Sequence, residues 1–314
     1  MNVLFHFAAG PDLAARLEAL CSDTLRITVC GESDTALLAR LLPETDVLWH
    51  VLQPATAAMI DVAPRLRLIQ KIGVGVNTID LEAALGRGIA VCNLPGTNAR
   101  AVAELTLTLM LAALRRLPLF HAAMRDGDGF GLDPALRDGI GELGGRTVGL
   151  VGYGAVPRVL APVLGALGCR VIYTARTPRG DAAGAFRPLN GLLEEADVVS
   201  LHLPLSNETQ GIIDAAALAR MRRGAVLVNT ARGGLVDQSA LLAALRSGHL
   251  AAAGLDVFVD EPPSADDPLL QLPNVVLTPH VGWLTTGTFD RSFALAAENC
   301  RRLAAGEPLL HRVV

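Results

Sequence analysis

Lysine is almost absent from this sequence of 314 residues, because Lys71 is the single lysine among 27 basic residues. A nucleotide-binding loop of the GxxxxGKS/T kind is therefore excluded, and any lysine Schiff-base chemistry would have to use Lys71. An excess of basic charge is also lacking, since 31 acidic residues give the chain a net charge of −4. This balance offers no electrostatic attraction to a nucleic-acid backbone or an anionic membrane, so we expect neither as a partner.

Cysteine is sparse and scattered, and no two cysteines have the CxxC spacing of a zinc or redox motif. The five cysteines are Cys21, Cys30, Cys92, Cys169 and Cys300. They predict neither a disulfide framework nor a metal site, and they suit a reducing compartment. The N-terminal run MNVLFHFAAGPDL lacks the basic start of a signal peptide, and no uncharged apolar run reaches the roughly 18 residues that a membrane helix needs. We therefore expect a soluble, cytoplasmic protein without a metal ion.

The composition favours two folded domains. Hydrophobic residues make up 51% of the chain and charged residues 18%, so a sizeable core can form. Strand-like and helix-like segments alternate from end to end, which is typical of α/β proteins with parallel sheets. The strand series restarts at residue 146 with near-continuous apolar strands, the pattern of a sheet covered on both faces. We predict two doubly wound parallel-sheet domains, with a Rossmann-type dinucleotide-binding domain (97–284) inserted in a flavodoxin-like substrate domain (1–96 and 285–314).

Two segments near the start of the inserted domain depart from the alternation of strands and helices. The run PGTNARAVAELTLTLMLAALRR (95–116) predicts a helix capped by Thr97 or Asn98, and its apolar faces indicate burial. The glycine-punctuated residues 118–142 predict an irregular arm. That arm is either a surface loop or a dimer-forming extension.

The run GLVGYGAVP predicts a dinucleotide site, because its glycines stand where an apolar strand turns into a helix. Such glycines let the backbone approach a pyrophosphate, whose charge the helix N-terminus stabilises. A plain strand-to-helix turn has the same GxG, but the strand–turn–helix–strand context favours the dinucleotide. Pro157 replaces the third glycine of the motif; proline suits the first turn of a helix but removes one potential phosphate donor. The predicted cofactor contacts are Gly152, Gly154, Ala155, Val156 and Pro157.

The end of the next strand predicts a preference for NADP(H), with NAD(H) also possible. In NAD-specific sites, an acidic residue here binds the ribose 2′-hydroxyl. Ala175 takes the place of that acid, and Arg176 and Thr177 follow with Arg179 near by. A guanidinium can hold a 2′-phosphate through paired, charge-assisted hydrogen bonds. Alternatively, Arg176 stacks on the adenine, which would leave both cofactors usable.

Three polar residues follow the ends of later apolar strands, at the edge where open α/β sheets bind ligands. Arg232 can hold the carboxylate and carbonyl oxygens of a 2-oxo acid with its planar guanidinium. His280 can donate a proton near neutral pH, and Glu261 can orient the imidazole and favour its charged form. Each residue alone could be a surface or loop residue, whereas the three together supply what hydride transfer to a 2-oxo acid needs.

From about residue 40 to residue 305, the chain resembles the D-isomer-specific 2-hydroxyacid dehydrogenase family, whose members include glyoxylate, hydroxypyruvate and phosphoglycerate dehydrogenases, and six segments carry the resemblance. In chain order they are KIGVGVNTIDL, GIAVCNLPGTNARAVAE, GLVGYGAVP, VNTARGGLVD, AAGLDVFVDEP and LTPHVGW. The resemblance implies that Arg232 binds the substrate, that Glu261 orients the histidine and that His280 is the acid/base. It also implies that the backbone N–H groups of Val74 and Gly75 bind the substrate carboxylate. The family likeness further implies a homodimer.

The resemblance implies further cofactor contacts and shows two departures from the family pattern. Asn77 replaces the aspartate more usual in its segment, and Trp283 stands where many relatives carry a small residue. Asp256 is expected to contact the nicotinamide carboxamide. The other residues expected to line the cofactor cleft are His202, Pro204, Thr230 and Gly282.

The sequence thus predicts an NAD(P)-dependent dehydrogenase that reduces a small 2-oxo acid, such as glyoxylate or hydroxypyruvate, to its D-2-hydroxy acid. We expect no regulatory domain after the last helical stretch, and this expectation favours a simple reductase. Two other functions on the same fold stay open. One is a dinucleotide-sensing, corepressor-like protein, and the other is a dehydrogenase of the formate or phosphite type.

Overall fold

The computed structural model describes residues 1–131 and 133–314, and these form two compact units. The first unit comprises Met1–Asn98 and Thr285–Val314, and the second comprises Ala99–Leu284.

The strands and helices alternate along the chain. The strands are β1 (Asn2–His6), β2 (Arg26–Cys30), β3 (Val47–His50), β4 (Leu68–Lys71), β5 (Ala90–Cys92), β6 (Thr147–Val151), β7 (Arg170–Thr174), β8 (Ala185–Phe186), β9 (Val198–Leu201), β10 (Ala225–Asn229), β11 (Leu250–Leu255) and β12 (Val275–Leu277). The helices are α1 (Pro11–Glu18), α2 (Thr35–Leu41), α3 (Ala57–Asp61), α4 (Leu81–Gly86), α5 (Ala99–Leu114), α6 (Leu117–Arg125), α7 (Ala135–Asp138), α8 (Ala155–Ala166), α9 (Leu189–Glu195), α10 (Ala215–Arg220), α11 (Gln238–Arg246) and α12 (Thr286–Ala305). Short 3₁₀ helices cover Leu42–Glu44, Gly233–Leu235 and Pro268–Gln271.

The first unit is built on a five-stranded parallel sheet with the order β2–β1–β3–β4–β5. This is the strand order of flavodoxin-like sheets. Every residue of β3 (VLWH) and of β4 (LIQK) is buried, as expected for central parallel strands with both faces covered.

The second unit is built on a seven-stranded parallel sheet with the order β12–β11–β10–β9–β6–β7–β8. The chain starts in the middle at β6, proceeds outward to β8, and then returns to build the other side from β9 to β12. All residues of β6 and β10 are buried. The two sheets confirm the predicted fold class of two doubly wound parallel-sheet units, the second of the Rossmann type.

Residues 285–314 complete the first unit. On α12, Phe293 stacks on Trp49 of β3 with 5.5 Å between the ring centroids. Beyond the helix, the chain pairs antiparallel with β5 through a bridge between Cys92 and Arg312, and the Val313 amide donates to the Val91 carbonyl over 2.7 Å. These contacts join the two separated stretches of the chain into one core.

The structure differs from the sequence-based expectation at two places. The first unit extends to Asn98 rather than to residue 96, since the Thr97 carbonyl accepts a 2.7 Å hydrogen bond from Arg291 Nε on α12. The expected irregular arm is helical over α6 and α7, and Gly127 ends the first of these helices with a φ of 86°. Leu132, within the arm, lies outside the described residues.

Candidate active site

The glycine turn between β6 and α8 has the geometry that a dinucleotide site requires. Gly152 has a φ of 100°, and a Cβ there would lie 2.7 Å from the His202 carbonyl oxygen, so no other residue fits. Gly154 caps α8, and a Cβ at this position would meet no atom within 4 Å. Pro157 is the third residue of the helix, where its missing N–H breaks no intrahelical bond. The turn therefore presents a helix N-terminus with open space beside it, which suits a pyrophosphate.

The predicted ribose-binding residues lie just past the carboxyl end of β7. Arg176 and Thr177 are exposed in the connection from β7 to β8, and Ala175 is half-buried. Their position beside the glycine turn follows from the pairing of β6 with β7. An exposed guanidinium at this strand end is available to an anionic group of a bound nucleotide.

The residues after β9 and β10 are held in place by neighbouring hydroxyl groups. His202 Nε2 lies 3.0 Å from Ser200 Oγ, and burial lowers the pKa of His202 to about 3, which keeps the imidazole neutral. Thr230 is nearly buried, with its hydroxyl 2.8 Å from that of Thr106 on α5. Pro204 is exposed. These residues lie at the same sheet edge as the glycine turn, because β9 pairs with β6 and with β10.

Arg232, Glu261 and His280 follow β10, β11 and β12, which are adjacent strands of the second sheet. The structure thus brings the three residues to one edge. His280 Nδ1 lies 2.6 Å from Glu261 Oε2, and the Phe258 amide donates to Glu261 Oε1 over 3.0 Å. Burial alone would raise the pKa of Glu261, but the His280 hydrogen bond, aided by the charges of His280 and Arg232, outweighs it, so the pKa lies below its ordinary value.

The turn that carries Arg232 is shaped by Asn229, which the sequence reasoning missed. Asn229 Nδ2 donates to the Arg232 carbonyl over 2.8 Å, and its Oδ1 accepts from the Ala231 amide over 3.0 Å. Asparagine at the end of an apolar strand is a common turn residue, and this pattern in the sequence could have indicated the role of Asn229. Burial lowers the pKa of Arg232 and the charge of Glu261 counters it. The guanidinium stays charged, because arginine is effectively always protonated.

Asp256 holds the loop that carries His280. Its Oδ1 accepts hydrogen bonds from the Thr278 hydroxyl over 2.6 Å and from the Val281 amide over 2.9 Å. Its Oδ2 accepts from the Gly282 amide over 2.9 Å. A buried carboxylate with these partners fixes the backbone on both sides of His280, a role that the sequence did not reveal for Thr278. The expected contact of Asp256 with the nicotinamide stays a prediction.

The predicted carboxylate-binding loop belongs to the first unit, where it follows β4. Asn93 Nδ2 donates to the Val74 carbonyl over 2.9 Å, and the Leu94 amide donates to the Gly73 carbonyl over 2.8 Å. Within residues 1–131 and 133–314, the amides of Val74 and Gly75 donate no hydrogen bond. Two adjacent free N–H groups suit an anion.

Among the described residues there is neither a metal-binding cluster nor a membrane-spanning helix. No group of three or more His, Cys, Asp and Glu side chains is arranged to hold a metal ion. No helix among the same residues combines the length and apolar character needed to cross a bilayer.

The second unit matches a family model for the NAD-binding domain of the D-isomer specific 2-hydroxyacid dehydrogenases over residues 107–282. The whole chain is similar to the TT0316 protein from Thermus thermophilus, with 40% identity, full coverage of both chains and a TM-score of 0.89. It is 39% identical to a glyoxylate reductase from Aeropyrum pernix over 84% of this chain and 81% of the relative.

Longer relatives share the same region. The chain is 37% identical to a D-3-phosphoglycerate dehydrogenase from Mycobacterium tuberculosis over 94% of its own length, but it spans 56% of that relative. The match of the dinucleotide domain and the similarity over the whole chain establish its class. The protein belongs to the D-isomer-specific 2-hydroxyacid dehydrogenase family.

Proposed function

We propose that the protein is an NAD(P)-dependent dehydrogenase that reduces a small 2-oxo acid, glyoxylate or hydroxypyruvate, to its D-2-hydroxy acid. The observation that carries this proposal is the Glu261–His280 pair, with 2.6 Å between Oε2 and Nδ1, next to the charge of Arg232. A carboxylate, an imidazole and a guanidinium at one sheet edge are the groups that the reduction of a 2-oxo acid needs. The intact pair argues against a purely dinucleotide-sensing role.

A nicotinamide cofactor held at the turn of Gly152 and Gly154 would supply the hydride for the proposed reaction. Arg232 binds the substrate carboxylate and carbonyl oxygen, and this contact polarises the carbonyl. Glu261 fixes the imidazole through Nδ1 and stabilises the imidazolium, so Nε2 is the atom that carries the proton. His280 delivers that proton to the carbonyl oxygen as it becomes a hydroxyl. The carboxylate-binding role of the Val74 and Gly75 amides stays a prediction.

The glycine turn supports the cofactor part of the proposal. The open space beside Gly154 and the clash that any Cβ at Gly152 would make are features of a backbone shaped for a pyrophosphate. We assign the nicotinamide end to Asp256, His202 and Thr230. We assign the adenosine end to Arg176 and Thr177, and because no acid stands at Ala175, NADP(H) is the preferred cofactor, with NAD(H) usable.

The activity is tested by incubating the full chain with NADPH or NADH and a panel of 2-oxo acids and following absorbance at 340 nm. We expect oxidation of the cofactor with glyoxylate, whose product glycolate is achiral, or with hydroxypyruvate, whose product should be D-glycerate on chiral chromatography. Formate or phosphite with the oxidised cofactors serves as the opposing assay. Turnover only in that assay, or an L product, would overturn the proposal.

We also propose that the active form is a cytoplasmic homodimer. On α6, Leu117 is 58% exposed and Met124 56% exposed, although both are large apolar residues. Burial of such surface against a second copy would stabilise an assembly. All five cysteines are free thiols, which suits the proposed reducing compartment.

A further inference from the structure

The chain has only two tyrosines, and both lie beside the glycine turn. Tyr153 stands between Gly152 and Gly154, and Tyr173 lies in β7. Both side chains are buried, and their rings are in contact with 4.5 Å between centroids. A tyrosine in such a position normally needs a hydrogen-bond partner for its hydroxyl.

Both hydroxyls find that partner in the backbone of one loop, residues 175–184, which connects β7 to β8. The Ala183 amide donates to Tyr153 Oη over 2.7 Å. The Arg179 amide donates to Tyr173 Oη over 2.6 Å, and this hydroxyl donates in turn to the Arg179 carbonyl over 3.2 Å. We name this residue set, Tyr153 and Tyr173 with their bonds to Ala183 and Arg179, the tyrosine clamp.

The tyrosine clamp determines where the predicted ribose-binding residues can lie. Thr174 is fixed in β7, where its carbonyl accepts a 3.0 Å hydrogen bond from the Gly152 amide, and Arg179 is fixed by Tyr173. Only four residues separate these fixed points, and Arg176 and Thr177 are the middle two. Their backbone is thereby restricted although their side chains are exposed.

The loop also carries one acidic residue, Asp181, which would repel a phosphate if its charge stood alone. It forms an ion pair with Arg158 on the first turns of α8. The Arg158 guanidinium lies 5.7 Å from the centre of the Tyr153 ring as well. With that acid paired, Arg176 and Arg179 leave the loop with positive character toward a nucleotide.

We infer that Tyr153 and Tyr173 are specificity-determining positioning residues, whose hydroxyls hold the loop in the conformation in which Arg176 and Thr177 receive the 2′-phosphate of NADP(H). This inference rests on the proposed cofactor preference. The physical reason is preorganisation: a loop that is already ordered loses less conformational entropy when a ligand binds. Loss of either hydroxyl leaves the packed rings and the glycine turn in place, so we expect the effect to fall mainly on the 2′-phosphate.

The test compares adenosine 2′,5′-bisphosphate with adenosine 5′-monophosphate as calorimetric ligands of the full chain. Tyr153→Phe and Tyr173→Phe remove one hydroxyl each and keep the packed rings. We expect each variant to raise the Kd of the bisphosphate about two- to tenfold, the range of one net hydrogen bond, and to change that of the monophosphate less than twofold. Ser247→Ala, which removes an exposed hydroxyl at the end of α11, is the matched control and should change neither Kd.

Hydrogen exchange of the backbone amides of Arg179 and Ala183 gives an independent readout. In each variant we expect faster exchange at the amide that has lost its hydroxyl partner. If the unaltered protein binds the monophosphate as tightly as the bisphosphate, the cofactor preference is wrong and the inference falls with it. If the unaltered protein prefers the bisphosphate and both variants keep this preference, or if both ligands weaken equally, the inference alone is wrong.

Discussion

His280 Nδ1 and Glu261 Oε2 lie 2.6 Å apart, so each side chain holds the other in place. The backbone of His280 has a φ of 55°. A non-glycine residue in this left-handed region costs of order 1–3 kcal/mol and persists where its surroundings hold it. Here the His280 amide donates to the Thr278 carbonyl over 3.1 Å, and the His280 carbonyl accepts from Trp283 Nε1 over 3.1 Å. Backbone and side chain are therefore both restrained, as expected of a group that must meet a reacting atom.

Replacing the imidazole tests the proposed acid/base. We expect His280→Ala to lower kcat by about 10²–10⁴ while the Kd for the cofactor is retained, since proton delivery is lost and the glycine turn is untouched. Glu261→Gln keeps a hydrogen-bonding group but loses the negative charge beside the imidazole, so we expect a smaller fall in kcat. Steady-state kinetics measure kcat, and a fluorescence titration measures the Kd for the cofactor. Near-normal reduction of 2-oxo acids by His280→Ala would remove this residue from the mechanism.

Arg232 is expected to act on substrate binding and turnover together. Loss of its paired hydrogen bonds in Arg232→Ala should lower kcat/KM for the oxo acid about 10²-fold or more. Arg232→Lys keeps the charge without the planar fork and should recover only part of this loss. The cofactor Kd is the internal control. An unchanged KM for the oxo acid in Arg232→Ala would contradict the assigned role.

The cofactor preference depends on Arg176. We expect wild-type kcat/KM to be higher with NADPH than with NADH, and Arg176→Ala to lower the value for NADPH about tenfold or more, because a charge-assisted contact is lost. The value for NADH should change little. Arg223→Ala, at another exposed arginine of the second unit, is the matched control. A wild-type preference for NADH, or an NADPH preference that Arg176→Ala leaves unchanged, would show that Arg176 does not determine the cofactor preference.

His50 makes the first unit sensitive to acid. It is 1% exposed, with Nε2 2.6 Å from the Gln53 carbonyl and Nδ1 3.4 Å from Lys71 Nζ. Burial, followed by the charge of Lys71, lowers the pKa of His50 from 6.5 to about 3. Between these values the unfolded chain binds a proton that the folded unit does not. The stabilising contribution is therefore complete above pH 6.5 and is lost as the pH falls toward 3.

Urea unfolding at pH 7, 6 and 5 tests this expectation, with the fluorescence of Trp49 followed in a Trp283→Phe background. We expect His50 to account for a loss of about 2 kcal/mol in the unfolding free energy of the first unit between pH 7 and pH 5. His50→Gln can still donate to the Gln53 carbonyl but does not titrate, so its unfolding free energy should vary less with pH. An equal pH dependence in the two proteins would rule out His50 as the cause.

The proposed homodimer has a simple test. We expect light scattering at micromolar concentration to give twice the chain mass of 32.9 kDa. Met124→Asp places a charge on the exposed apolar surface of α6 and should shift the mass toward that of one chain. A wild-type mass near that of one chain would contradict the proposed homodimer.

The sequence was sufficient for the two sheets because their strands are apolar runs separated by turn residues, and the structure confirms this fold class. The sequence was insufficient to predict the two-residue strand β8 and helix α6. The glycines farther along the arm had indicated an irregular segment where α6 lies. Strand order is also invisible to local patterns. The three residues Arg232, Glu261 and His280 come to one sheet edge because β10, β11 and β12 are adjacent, and periodicity alone could not show this adjacency.

Long-range bonds were beyond prediction for a related reason. Nothing near Asp256 in the sequence indicates that its carboxylate binds residues 278–282, more than 20 positions away. The bonds of the tyrosine clamp likewise join positions whose proximity only the folded chain reveals.

The return of residues 285–314 to the first sheet has a consequence for synthesis on the ribosome. The second unit emerges entirely before α12 exists, so it can fold while the first unit still lacks the helix that packs on Trp49 and the segment that pairs with β5. During that interval the β5 edge is open and an apolar surface is uncovered, which invites association between nascent chains. The unit whose synthesis begins first is thus the last to be protected from aggregation.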